Sequence, residues 1–129
     1  MPRLIIPGRL PGLNDAFAAA RAYGRNPKAN PEARLRKKYE SQIILLAKGQ
    51  LKRWRAHGKV RLRYTFYEKN RCRDMDNVAG YAHKLIQDAL VKGGFLADDG
   101  WNYVAGYTDD FAVDKKNPRI ELEIEEVDT

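Results

Sequence analysis

From Lys59 to Tyr67 the chain alternates strictly, with Val60, Leu62, Tyr64 and Phe66 on one side and Arg61, Arg63 and Thr65 on the other. A period of two fits an extended strand with one face buried, not a helix. Such a strand needs neighbours in a sheet and a second layer over its apolar face. Nothing covalent supplements that packing. Cys72 is the only cysteine, so no internal disulfide or cysteine-based zinc site is available. A chain of 129 residues is long enough for one modest core and is expected to form one domain over residues 1–129.

The other elements follow from punctuation and period. Arg3 to Ile6 reads as a short strand closed by Pro7-Gly8 and Pro11-Gly12. Asn14 is placed to cap a short helix running through Phe17 and Ala20 towards Tyr23. A polar loop from Gly24 to Asn30 carries Arg25 and Lys28. Asn30-Pro31 then starts a long helix, with Leu35, Tyr39, Ile43, Leu46 and Trp54 at near-helical spacing to about Arg55. After the alternating strand, Asp76 to Val91 reads as a helix with Val78, Ala82, Leu85, Ile86 and Ala89 inward, stopped at Gly93-Gly94. Tyr103 to Val113 and Ile120 to Val127 read as strands. The order predicts an α+β domain with helices packed on a small mixed or antiparallel sheet.

Charge is divided along the chain. Residues 1–73 hold 19 Lys/Arg against 4 Asp/Glu, and residues 74–129 hold 5 against 13. The sign changes at Arg73-Asp74. Positive surface for a phosphate backbone beside carboxylates for a divalent cation is what a nuclease requires. The competing explanation is a solvated basic face beside acidic strands. No apolar run approaches the roughly 18 residues of a membrane span. Met1 to Ile6 is too short for a signal-peptide core. A cytoplasmic address and no membrane partner are therefore expected.

The acidic residues form a candidate site. Asp74 and Asp76, two apart, share a face if the chain there is extended. Asp76 also suits the N-cap of the next helix. Asp98-Asp99 follow the helix stop and return near the first pair if the helix folds back on the sheet. All-oxygen ligation selects Mg²⁺, or Mn²⁺ in its place, rather than zinc. Lys84 falls on the helical stripe of Asn77, roughly 10 Å further along the axis, as a second electrophile. Each part has a plainer explanation: Asp-x-Asp as a cap, Asp98-Asp99 as a turn, Lys84 with Asp88 as an exposed pair. His83 as a general base competes with a solvent-facing or capping histidine, and Asp109-Asp110 with a bulge or turn. Trp54, Trp101 and Tyr103 are expected as core or dimer contacts.

Together, Arg73-Asp74-Met75-Asp76-Asn77, Lys84, Asp88-Ala89-Leu90, Gly94 and Asp98-Asp99 resemble the RusA-type Holliday junction resolvases. The resemblance runs over nearly the whole chain, and its specific motif over about Arg71 to Val104. It implies a RusA-like fold and Mg²⁺-dependent cleavage of branched DNA by a homodimer. It also implies catalytic roles for Asp74, Asp76, Asp99 and Lys84, with Asp98 as a further metal ligand. About four extra residues separate Asn77 from Lys84, with Gly80 where the family's lysine would fall, which resembles a phage-associated branch. Candidate DNA contacts are Asn14, Arg21, Arg25, Lys28, Arg61, Arg63, Lys69, Arg71, Arg73 and Asn77. The alternatives are a non-catalytic DNA-binding module, or a nuclease of the same chemistry acting on flaps, forks or RNA.

Overall fold

Inside the sheet lies the alternating strand, paired along both edges. A computed structural model of the chain describes residues 1–23 and 30–127. Its elements are β1 (Arg3–Pro7), α1 (Leu13–Tyr23), α2 (Pro31–Leu51), β2 (Val60–Glu68), α3 (Met75–Lys92), β3 (Val104–Val113) and β4 (Arg119–Glu126). The strands form one sheet in the order β1-β4-β2-β3. β4 runs antiparallel to both β1 and β2, whereas β3 runs parallel to β2. This is the α+β arrangement with a mixed sheet that the order of elements predicts.

Parallel pairing of β2 and β3 demands a crossover, and α3 supplies it. Val60, Leu62, Tyr64 and Phe66 of β2 are fully buried, together with Leu122 and Ile124 of β4 and Leu4 of β1. They share one apolar cluster with Ile43 and Ala47 of α2 and Leu85, Ile86, Ala89 and Leu90 of α3. All five inward positions expected on α3 are buried. On the other face of the sheet, Arg61, Arg63 and Thr65 stand opposite Glu125, Glu123 and Glu121 of β4. The basic face of β2 is thus matched by an acidic neighbour strand.

Three local readings need correction. α2 ends at Leu51 rather than near Arg55, because Lys52 takes φ 56°, a left-handed conformation that cannot continue the helix. Trp54 instead packs against the core from the turn, where its N–H donates to the Leu51 carbonyl at 3.0 Å. α1 begins at Leu13, so Asn14 lies inside it. The Gly12 N–H is held by the Asp15 carboxylate at 2.8 Å. Asp109-Asp110 is neither turn nor bulge, but lies in the middle of β3 in register with Tyr64 and Thr65. No helix among the described residues is long and apolar enough to cross a membrane.

Candidate active site

Asp74, not Asp76, caps α3. Its backbone is extended (φ −71°, ψ 167°), and its side chain accepts the Asn77 N–H at 2.8 Å. Asp76 therefore lies in the first helical turn, and the extended-chain argument for a shared face does not apply. The two carboxylates still line one cleft, with Leu13, Asn14, Met75 and Asn77 around them. The crossover explains the location: β2 ends at Glu68 and α3 starts at Met75, which puts both aspartates at the carboxyl end of the parallel strand pair. The N-termini of α1 and α3 meet there. The Asn14 N–H donates to Asn77 Oδ1 at 2.8 Å. Helix N-termini favour anions, which suits the placing of two carboxylates there.

That junction depends on Gly12. A Cβ at this position would fall 2.5 Å from Asn77 Oδ1 and 3.0 Å from the Asn77 carbonyl oxygen. The Pro11-Gly12 pair, legible only as a turn, is what lets α1 approach the start of α3 so closely.

On the sheet side, a second cleft of about 550 Å³ opens beside Asp74, lined by Asn70, Arg71, Arg73 and Val113 among others. Arg71 is exposed here, and Lys69 is exposed just after the end of β2. Arg73 is engaged within the protein: Nε and Nη2 each lie 2.9 Å from Glu68, and Nη1 donates to the Leu10 carbonyl at 3.0 Å. On the open face of the sheet, Arg63 pairs with Glu125 at 2.8 Å. Arg61 is half-buried there, with Nη1 close to Gly106. Arg21 is exposed near the end of α1, while Arg25 and Lys28 lie outside the described residues.

Asp98 and Asp99 are not brought to Asp74 and Asp76 within the chain. They follow the other end of α3, an 18-residue helix about 26 Å long, whereas Asp74 and Asp76 stand at its start. Asp98 caps its own turn, accepting the Asp99 N–H at 2.8 Å. Asp99 lines a different cleft, with Lys59, Gln87 and Trp101. Trp101 is 94% exposed, the reverse of a core residue. Among the described residues no group of three His, Cys, Asp or Glu side chains could hold a metal ion. Lys84 lies on the outer stripe of α3, 61% exposed, with Nζ 3.4 Å from Asp88.

Sequence reasoning missed one pairing. His83 faces inward and sets Nε2 2.8 Å from Asp109 Oδ1, with both side chains mostly buried. Its ring packs 4.9 Å from that of Tyr64 and 4.4 Å from that of Tyr107. The signal was in β3, where Tyr107, Asp109 and Phe111 alternate onto one face. An acid on an apolar face needs a buried partner.

The family model of endodeoxyribonuclease RusA matches residues 18–125 of the chain. A search of curated proteins found no match.

Proposed function

The chain belongs to the RusA family of endodeoxyribonucleases, which resolve Holliday junctions, and we propose that Asp74 and Asp76 hold its catalytic Mg²⁺ in a site completed by Asp99 of a second copy. The family implies metal-dependent hydrolysis in general. The donor set argues for the hard cation. Asp74 gives one oxygen to the helix cap and keeps the other, and Asp76 makes no side-chain hydrogen bond among the described residues. Mg²⁺ retains several waters and binds through one or two carboxylates, which suits this pair. When bound, such an ion withdraws charge from the scissile phosphate and favours attack by water.

The single observation carrying the dimeric reading is the placement of the two acidic pairs at opposite ends of α3. In a two-fold dimer with the α3 helices side by side and opposed, the start of one meets the end of the other. Each site then draws Asp74 and Asp76 from one copy and Asp99, with Asp98 beside it, from the other. Two equivalent sites suit a four-way junction, which needs a nick in each of two opposed strands. The fully exposed Trp101, next to Asp99, is the apolar contact this arrangement would cover.

DNA is placed over the carboxylate end by Lys69, Arg71, Asn14 and Asn77, with Arg21, Arg25 and Lys28 extending the contact along α1 and the segment after it. Arg61 and Arg63 sit among the glutamates of β4 and contribute less. Arg73 supports Asp74 from behind rather than meeting phosphate. Lys84 stands two helical turns from Asp76 on the outer stripe, about 12 Å along the axis, where it meets the backbone beyond the scissile group.

The test is Asp74→Asn. Asparagine caps a helix as well as aspartate does, so the fold is kept while the charge is lost. Cleavage of a four-way junction in Mg²⁺ should be abolished, with junction binding retained or tightened. Equal cleavage by variant and wild type would remove Asp74 from the mechanism. Flap, fork and linear duplex substrates in the same assay define the branched DNA that is cut.

A further inference from the structure

A cavity of about 430 Å³ lies against α3 on the side facing β3, and Asp76 is on its wall. His83, Tyr107 and Asp109 line it as well. We propose that His83, oriented by Asp109, is a proton-transfer residue for phosphodiester hydrolysis at the phosphate bound beside Asp76; this rests on the nuclease reading above.

Four observations carry it. Asp109 fixes the tautomer: a carboxylate 2.8 Å from Nε2 calls for a proton on that nitrogen, which leaves the lone pair on Nδ1. The ring cannot swing, because Tyr64 and Tyr107 pack against it at 4.9 and 4.4 Å. Among the described residues Nδ1 has no hydrogen-bond partner, yet it is not among the solvent-sealed unpaired atoms. Solvent therefore reaches it, on a side chain that lines the cavity. Finally, Asp76 and His83 line the same cavity from one helix, two turns and about 10 Å apart along its axis, an interval that a phosphate and its attacking water would span. An acid orienting a solvent-reached imidazole that lines a substrate cavity is the arrangement of a general base. The titratable groups around it are Asp76 on α3, Tyr64 on β2, and Tyr107 and Asp109 on β3.

In the step, Nδ1 takes one proton from the attacking water as that oxygen bonds to phosphorus. The bond from phosphorus to the departing sugar oxygen breaks, and that oxygen is protonated from solvent. Water is thereby divided across the phosphodiester.

The experiment compares wild type with His83→Ala and Asp109→Asn on a four-way junction under single-turnover conditions in Mg²⁺. Junction affinity and thermal unfolding are measured in parallel. His83→Ala should cut the cleavage rate about 100-fold or more, with affinity little changed; the unfolding midpoint falls as Asp109 loses its partner, so rates are compared well below that midpoint. Added imidazole should restore part of the rate, and more basic imidazoles should restore more. A merely structural histidine would not respond in that graded way. Should His83→Ala fail to fold, His83→Gln must show the same loss. An unchanged rate, or a loss that follows the unfolding midpoint and ignores imidazole, overturns the assignment and leaves His83 as a clamp between α3 and β3. A wild-type chain that does not nick junctions overturns the nuclease reading itself, and this inference with it.

Discussion

Arg73 grips Glu68 with two nitrogens, Nε and Nη2, each 2.9 Å from a carboxylate oxygen, immediately before the aspartate that caps α3. The contact ties the end of β2 to the start of the helix and fixes the direction in which Asp74 leaves the sheet. Both side chains are largely buried, at 14% and 11% exposed. Arg73→Ala would strip a buried carboxylate of its fork, leaving, among the described residues, only the distant Arg9 at 3.8 Å. A loss of about 2–3 kcal/mol is expected, read from denaturant unfolding. Arg73→Lys should fall between, since an ammonium keeps charge but cannot fork. A wild-type midpoint for Arg73→Ala would show that the pair does not hold the loop.

The approach of α1 to α3 gives a steric prediction. Gly12→Ala puts a methyl group 2.5 Å from Asn77 Oδ1 and should cost about 1–3 kcal/mol, with cleavage reduced as α1 moves off. Combining it with Asn77→Ala removes the closest contact, though the carbonyl at 3.0 Å remains. The double variant should therefore recover part of the stability lost by Gly12→Ala alone. Additive losses in the double-variant cycle would contradict the contact.

Alkaline titration separates two tyrosines from the remainder. Burial, followed by other smaller influences, pushes the phenols of both Tyr64 and Tyr81 well above 10. Gln87 donates to the Tyr64 oxygen at 3.2 Å, and Tyr81 donates to Glu32 at 3.0 Å. For a raised pKa the stabilisation is fully present below the unfolded value near 10 and is lost as pH climbs towards the folded one. Of the seven tyrosines, these two should ionise only with unfolding. Tyrosinate absorbance would then rise in step with loss of tertiary circular dichroism. Complete ionisation in the folded protein would contradict their burial.

Much of the fold was legible because two periods dominate the chain. The alternation of β2 and the inward stripe of α3 each state which face is covered, and the structure buries those positions. Lys52 was not legible, since nothing in its side chain announces a left-handed stop within a run at helical spacing. At the site, local order was readable and distance was not. The motif identified Asp74, Asp76 and Asp99 as a set, but only the folded chain puts Asp99 in a different cleft from the other two. Lys84 drew attention through the family pattern, whereas His83, one residue earlier, turns inward to Asp109. That difference rests on 100° of helical rotation and on the face β3 presents.

The claim that the site is shared between copies is tested most directly by mixing two inactive proteins. Asp74→Asn and Asp99→Asn should each be unable to cleave alone. In a mixed dimer, one site would carry both substitutions and the other neither. Equilibrated mixtures of the two variants should therefore regain junction nicking. Mixtures as inactive as their components, under conditions where the subunits demonstrably exchange, would contradict the shared site.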